Sequence, residues 1–524
     1  MDYIVDRLAR YSSERAVLTP LIAWLRTTFD LIKQLPHYLV PKYFMLVCLT
    51  VYEKARSVAC QAMSPLVQKG SRFLQSIALT SVQLQGRVKS TGLKPKEPTA
   101  SLAAGLPHFS KDYMRCWGRD IFIALRGLLL LTGRFEEAKE HILCFAATVR
   151  HGLIPNLLDS GRTPRYNCRD GVWFWLQSIQ DYCRLAPNGN TLLQEVVALR
   201  FPTDEFVHWD DPRAFSRKVS LLALVQEVMQ RHAEGITFRE VNAGSQLDHA
   251  MSSEGFDIRI YTDWQTGFVM GGSSANCGTW MDKMGDSAKA GNRGKPATPR
   301  DGAAIEITAM LKSTLSWLDR ISATSSAGLQ KGVTVNTKTV TWQAWAQLVQ
   351  TNFEKHYYIP QGCSSFDTLT FERVLNVGID PSQDKDYQLE TSLINRRGIY
   401  KDTYGSSLRF GDYQLRCNTG IAMVMAPELF DPEHALFALK QIRSIMLGPL
   451  GLKTLDPSDW AYRGHYDNAN DSTDASVAHG FNYHQGPEWL FVAGFFLTAY
   501  FTFHKTHARD QVHLHFFLAP FKPE

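Results

Sequence analysis

The chain has 524 residues, 44% of them hydrophobic, and 56 Lys and Arg against 51 Asp and Glu give a net charge of +5. The charge is small for this length and no basic run stands out, so composition indicates no nucleic-acid partner. Nine scattered cysteines without a CxxC pair indicate neither a disulfide framework nor a zinc site, and they fit a reducing compartment.

The N-terminus lacks the pattern of a secretory signal, because acidic Asp2 and Asp6 stand where a basic and then an apolar segment would be. The most apolar early stretch, Tyr43 to Tyr52, is too short to span a bilayer, which takes ~20 residues. We therefore expect a cytoplasmic protein without a membrane partner. The sequence gives no indication of oligomeric state.

Helical spacing dominates the N-terminal part, as in Leu21, Leu25 and Phe29. It ends at a basic, proline-containing stretch, residues 87–98, that is typical of a loop. We predict that residues 1–98 form a helical lead-in and linker.

The next part predicts paired helices rather than alternating strands and helices. Ile121 to Leu131 is an apolar helix, Phe135 to Arg150 is an amphipathic one, and Val172 to Tyr182 is a third. Val333 and Val335 alternate with polar residues and predict a β-hairpin. Further helices are predicted at three places: Thr341–Lys355, Ala435–Met446 and Trp489–Phe503.

Two loops carry chemistry-bearing residues directly before predicted helices. Arg115 to Asp120 and Arg165 to Asp170 both end with an aspartate, and the simple interpretation is that each is a helix N-cap. The other interpretation is a sugar pocket, since Arg and Asn bind hydroxyls and aromatic rings stack on pyranose faces. The candidate substrate-binding residues are Trp117, Arg119, Asp120, Arg165, Asn167, Arg169 and Asp170.

The run from Asn276 to Gly285 is the sharpest segment, because it places Trp280 beside Asp282. A carboxyl shielded from water by an indole keeps its proton longer, since desolvation disfavours the charged form. A general acid that protonates a glycosidic oxygen needs this property. The alternative is a surface aspartate next to a core tryptophan. We expect Asp282 to be catalytic and Trp280 to contact substrate.

A third cluster lies before a predicted apolar helix, and its candidate substrate-binding residues are His484, Glu488 and Trp489. The alternatives are a hydrogen-bonding structural histidine for His484 and an acid in the first turn of that helix for Glu488. Asp471 to Asp474 invites a calcium interpretation, but the spacing of a calcium-binding loop is absent. We predict no metal and no cofactor.

The chain resembles the C-terminal amylo-α-1,6-glucosidase domain of eukaryotic glycogen debranching enzymes, and the likeness extends to about Tyr500. The segments that carry it are Ser101–Phe109, Cys116–Asp120, Ala124–Gly127, Arg150–Leu158, Arg165–Asp170, Asn276–Gly285, Ala297–Gly302, Arg397–Asp402, Ala426–Phe430 and Phe481–Trp489.

The resemblance implies an all-α fold, an (α/α)6 toroid of helical hairpins over residues 99–500. It implies inverting hydrolysis of the α-1,6-linked glucose at a branch stub, with glycogen or limit dextrin as partner. Asp282 matches the general acid. The positions that match the pocket are Trp117, Arg119, Asp120, Arg169, Asp170 and Glu488.

Two departures from the family lead to further expectations. Debranching enzymes are longer and carry an N-terminal glucanotransferase barrel, so we expect at most the second step of debranching. Residues 501–524 form a divergent tail in place of the closing helices and the acidic loop that holds the general base. We therefore expect a partial form whose toroid is incomplete at the C-terminus. The alternatives are a non-catalytic glycogen-binding module, which keeps the pocket without the base, and a toroid that processes another glycan.

Overall fold

A computed structural model describes residues 1–12, 15–94, 97–158, 164–324, 329–361, 387 and 389–504. The chain divides into two compact units. The first consists of residues 1–83 and 131–134, and the second of residues 84–130 and those from 135 onward.

The first unit is helical, as predicted for the lead-in. Its helices are α1 (Asp2–Ala9), α2 (Thr19–Lys33), α3 (Val40–Gln61), α4 (Pro65–Gln68) and α5 (Arg72–Leu84), the last ending at the unit boundary. On α2 the buried residues Leu25, Phe29 and Ile32 recur every three or four positions, so one face of the helix packs on Val5 of α1.

The second unit contains the remaining described helices. They are α6 (Gly118–Leu125), which continues into a π-helical turn over Arg126–Leu130, α7 (Phe135–Ala146), α8 (Gly171–Leu185), α9 (Leu221–Glu234), α10 (Ile305–Thr324), α11 (Trp342–Tyr357), α12 (Asn418–Met425), α13 (Pro432–Ile445) and α14 (Leu490–His504).

Inner and outer helices alternate in this unit. The inner helices α6, α8, α10, α12 and α14 pack one against the next, while α7 packs on α8, α11 on α10 and α13 on α14. The sequence explains the two layers. Nearly every residue of α8 from Gly171 to Tyr182 is buried, which suits a helix surrounded by others. On α13 the buried residues Ala435, Ala438 and Leu439 form one stripe, which suits an outer helix.

The strands of the described residues form small antiparallel sheets. The sheet β5–β6–β7 has three strands, and every other pairing has two. The strands are β1 (Gln85–Val88), β2 (Thr99–Leu102), β3 (Val196–Ala198), β4 (Lys218–Ser220), β5 (Ile236–Arg239), β6 (Asp257–Asp263), β7 (Phe268–Gly271), β8 (Ala303–Ala304), β9 (Gly332–Val335), β10 (Lys338–Thr341), β11 (Tyr358–Ile359), β12 (Ile399–Tyr400), β13 (Thr403–Tyr404), β14 (Leu452–Lys453) and β15 (Glu488–Trp489). The predicted hairpin at Val333 and Val335 is confirmed as β9–β10.

The predicted fold class is confirmed, because the unit is rich in helices, layered as in an α/α toroid, and has only small sheets. The predicted divergent tail lies outside the described residues beyond residue 504. Among the described helices, none is both long and apolar enough to cross a membrane.

Candidate active site

The predicted catalytic residue lies on a long loop between β7 and β8. The base of this loop is closed by two hydrogen bonds, from Gly271 N to Gly302 O at 3.1 Å and from Gly302 N to Gly271 O at 2.9 Å. Gly302 has φ +83°, and a β-carbon there would lie 2.5 Å from the carbonyl oxygen of Tyr404, so only glycine fits. Further along, Ala297 N donates to Lys283 O at 3.0 Å. These contacts fix the segment that carries Asp282.

Arg119 joins two aspartates that are far apart in sequence. Its Nε donates to Oδ1 of Asp170 at 2.8 Å, and its Nη1 donates to Oδ2 of Asp282 at 2.8 Å. Arg119 and Asp170 are buried, whereas the side chain of Asp282 is 40% exposed. Asp170 also accepts from Sγ of Cys168 at 3.0 Å. The guanidinium therefore positions Asp282 from its buried side and leaves its other side open.

The groups around Asp282 have opposing effects on its pKa. Desolvation raises the pKa of Asp282, and the charge of Arg119 opposes that rise without cancelling it. The pKa of Asp120 is raised to about 6, first by desolvation and then by the charge of Asp282, although its side chain reaches solvent. Protein atoms crowd each of these carboxyls and raise its pKa, even though part of the carboxyl reaches solvent. The site thus favours retention of protons by its acids.

Asp282 lines a recess of about 680 Å³. Three segments besides the loop of Asp282 form its walls: residues 117 and 156–157, residues 165 and 167, and residues 242–248 with residue 251. Trp117 Nε1 and Asn167 Oδ1 have no hydrogen-bond partner among the described residues. Unpaired buried polar atoms are costly, so a polar ligand in the recess would offset that cost.

Arg165 also lines the recess, but its guanidinium contacts protein. Nε and Nη2 donate to the two carboxylate oxygens of Glu240 at 3.3 Å each, and Nη1 donates to Leu247 O at 3.2 Å. Nη1 lies 3.7 Å from Asp248. These contacts indicate that Arg165 holds the wall formed by residues 242–248, and its contact with substrate stays a prediction.

Three of the predicted contact residues are buried in the structure. Trp280 donates to Asn418 Oδ1 at 2.7 Å, and Phe491 packs against its ring. Arg169 donates to Arg300 O at 2.6 Å inside the protein. His484 stacks on Trp489, and its ring nitrogens have no hydrogen-bond partner among the described residues. Burial and neighbouring cations, Arg416 first, place the pKa of His484 well below its ordinary value. We infer that all three support the site.

The helix-cap interpretation of the two aspartates is wrong for Asp120, and for Asp170 it is right only in position. Trp117 is the N-cap of α6, so Asp120 is the third residue of the helix rather than its cap. Asp170 does stand at the N-cap of α8, but its carboxylate binds Arg119 and makes no capping bond. The carboxylates of both loops are therefore available for the site.

Glu488 is not an acid in the first turn of α14. It lies in β15, and its Oε2 accepts from Leu450 N at 3.0 Å and Gly451 N at 3.1 Å. Trp489 follows in the same strand and donates to Tyr483 O at 3.2 Å. Neither is among the residues that line the recess of Asp282.

A buried polar network supports the loop that carries Asp282. The sequence analysis did not predict it. Arg300 donates to both oxygens of Glu306, at 2.6 and 2.7 Å, and to both of Asp402, at 2.6 and 3.1 Å. Asn418 then links Asp402 to Trp280. Arg300 has φ +47°, an uncommon backbone state for arginine that these contacts hold in place. No sequence pattern points to this arrangement, because its members lie on separate elements.

The described residues contain no group of three or more His, Cys, Asp and Glu side chains placed to hold a metal ion.

Comparison with known proteins decides the family. The family model for amylo-α-1,6-glucosidase matches residues 74–521. The chain belongs to this family. It is 51% identical over 517 residues to the glycogen debranching enzyme of Saccharomyces cerevisiae, an alignment that covers 98% of the chain and 32% of that relative. The resemblance inferred from the motifs is confirmed, and the chain spans about a third of the relative's length.

The amylo-α-1,6-glucosidase match begins within the predicted lead-in and covers every segment that lines the recess. The boundaries proposed at residues 98 and 500 stay predictions. The residues around Asp282 thus belong to the family domain itself.

Proposed function

We propose that this domain hydrolyses the α-1,6-linked glucose at glycogen or limit-dextrin branch stubs, with inversion, and that Asp282 is the general acid. The supporting observation is its position. Asp282 is a carboxyl with a raised pKa in a recess of about 680 Å³, anchored on its buried side by Arg119. We propose the cytoplasm as the location, since that is where the composition fits best.

The proposed proton transfer follows from this arrangement. Protonated Asp282 donates to the glycosidic oxygen, the C–O bond to the anomeric carbon breaks, and water attacks from the opposite face while it passes a proton to a second carboxyl. Arg119 then stabilises the Asp282 carboxylate that remains. Trp117, Asn167 and Asp120 are the proposed contacts to the glucosyl hydroxyls.

Inversion needs a second carboxyl, about 6.5–9.5 Å from the first, to activate water. Two acids among the described residues have carboxylates that already contact other protein groups. Glu488 accepts from two backbone amides, and Asp248 accepts from Ala250 N at 3.0 Å beside Arg165. We therefore assign neither to the water. The anomeric form of the released glucose tests inversion without requiring the base to be known.

The test is glucose release from a glucosyl-branched dextrin by the purified chain. NMR spectroscopy in the first minutes should show β-glucose from the α-linkage. Loss of general-acid catalysis should lower the rate of Asp282→Asn about 10²–10⁴-fold. The matched control is Asp257→Asn, an exposed aspartate paired with Arg239, which should keep wild-type activity. Unchanged turnover in Asp282→Asn would remove Asp282 as the acid.

Oligosaccharide binding without glucose release would instead support the non-catalytic glycogen-binding module. Equilibrium binding of the same dextrin, measured in parallel, separates that outcome from a chain that does not recognise α-glucan at all.

A further inference from the structure

A second, smaller cavity of about 200 Å³ is lined in part by the loop that carries Asp282. It is lined by residues 296–301, 403–416 and 460–485, and shares no lining residue with the recess of Asp282. The loop of Asp282 borders both spaces. Met284 lines the recess, and Pro296, which pairs with Met284 in a β-bridge, lines the cavity. The cavity is therefore a separate site.

Trp460 lines this cavity and is 71% exposed. Large aromatic side chains are seldom left this open, and an open one often marks a binding surface. Phe410 packs against the indole edge-on, with ring centroids 5.4 Å apart.

The turn that carries Trp460 is held on both sides. Asp459 Oδ1 accepts from Ala461 N at 2.9 Å, and Arg396 binds both oxygens of Asp456, at 2.5 and 3.1 Å. A rigid turn presents the ring with little loss of entropy on binding. Trp460 is thus a preorganised flat surface.

The cavity wall supplies polar groups beside that surface. Asp301 is only 6% exposed; its Oδ2 accepts from Ser407 N at 2.9 Å, and its Oδ1 has no partner among the described residues. Arg463 is fixed by bonds from Nη1 to Trp460 O and Tyr462 O, at 3.1 and 2.7 Å, and from Nε to Ser476 Oγ at 3.1 Å. An aromatic face next to a fixed acceptor and a fixed cation is suited to a ring that carries many hydroxyls.

We propose that this cavity binds a glucosyl unit of an α-1,4-glucan chain and so anchors the polymer outside the recess of Asp282. The volume supports a single unit, since pockets for drug-sized ligands are about 300–1,000 Å³. The identity of the ligand rests on the proposed function. A polymeric substrate offers many identical units, so one can occupy this cavity while another reacts. Tethering at the second site raises the effective concentration at the first.

The test compares Trp460→Ala with Trp209→Ala, a control that removes another exposed tryptophan, 40% accessible. Co-sedimentation of the full chain with glycogen measures binding without any need for hydrolysis. We expect Trp460→Ala to bind about tenfold more weakly, which equals about 1.4 kcal/mol, and Trp209→Ala to bind as wild type. Trp460→Phe should be intermediate. Because Trp460 is so exposed, the thermal unfolding temperature of Trp460→Ala should equal that of the wild type.

Kinetics provide the second measurement. For Trp460→Ala, the KM for a long branched dextrin should rise while kcat stays the same. A short glucosyl-branched tetrasaccharide should be hydrolysed as by wild type.

Wild-type glycogen binding by Trp460→Ala, or an equal loss in Trp209→Ala, would overturn the second site. A lowered kcat on the tetrasaccharide would place Trp460 in the recess and also overturn it. If the wild-type chain releases no glucose but glycogen binding still depends on Trp460, the proposed function fails and this inference stands.

Discussion

Replacing Arg119 by methionine tests the central contact of the site. The substitution removes the charge between Asp170 and Asp282 while keeping a long apolar side chain. Asp170 is fully buried, and in the described part of the chain its one remaining side-chain donor is the weak thiol of Cys168. The variant therefore holds a buried carboxylate without its cation.

The structure sets the size of the effect. Removing one partner of a buried ion pair costs about 3–5 kcal/mol, because the other charge is left uncompensated. Asp282 contributes much less to the loss of stability, since its carboxylate is 40% exposed and water screens its contact with Arg119. We expect Arg119→Met to lose about 3–5 kcal/mol of unfolding free energy at pH 7, nearly all through Asp170.

Urea denaturation of a double-mutant cycle measures this loss directly. The double variant Arg119→Met with Asp170→Asn should lose less than the sum of the single variants, by at least about 1 kcal/mol. A loss below about 1 kcal/mol in Arg119→Met, or strictly additive variants, would refute the reasoning.

Two further substitutions probe the rim of the site. The pKa of Asp120 is raised to about 6, so the folded state disfavours its charge above that pH, and this cost disappears as the pH falls toward 3.8. Asp120→Asn should therefore stabilise the fold at pH 7.5, by less than about 1 kcal/mol since solvent reaches the carboxyl, and have no effect near pH 3.5; a lower melting temperature at pH 7.5 would contradict this. Arg165→Met should loosen the wall that Glu240 and Leu247 help to hold, so KM should rise severalfold while kcat changes little. Arg165→Lys should recover part of this loss. A fall in kcat at constant KM would show that Arg165 acts on the reaction instead.

The sequence predicted the elements whose pattern is local. The apolar spacing of α7 and α8 and the alternation in β9 and β10 predicted these elements with small errors at their ends. Trp117 and Gly118 start α6 earlier than the apolar run suggests, and this places Asp120 inside the helix rather than at its cap. Pairing with β14 keeps Glu488 extended, a constraint that no local pattern shows.

The sequence proposed the residues of the candidate site but not their contacts. Asp282 lies beside Trp280 in sequence, yet the group that holds its carboxylate is Arg119, 163 positions away. The same holds for Arg165, whose partner Glu240 lies 75 positions further on. Contacts of this kind depend on how helices pack, so the motifs could name the participants without assigning what each one touches.

The most direct test of the proposed role of Asp282 compares two substrates that differ in their need for an acid. A glucosyl-branched dextrin needs a proton on its leaving oxygen, whereas α-glucosyl fluoride has a leaving group that departs without one. The ratio of the Asp282→Asn rate to the wild-type rate should be about 10²–10⁴-fold lower for the dextrin than for the fluoride. Equal losses on both substrates would show that Asp282 does not act by donating a proton.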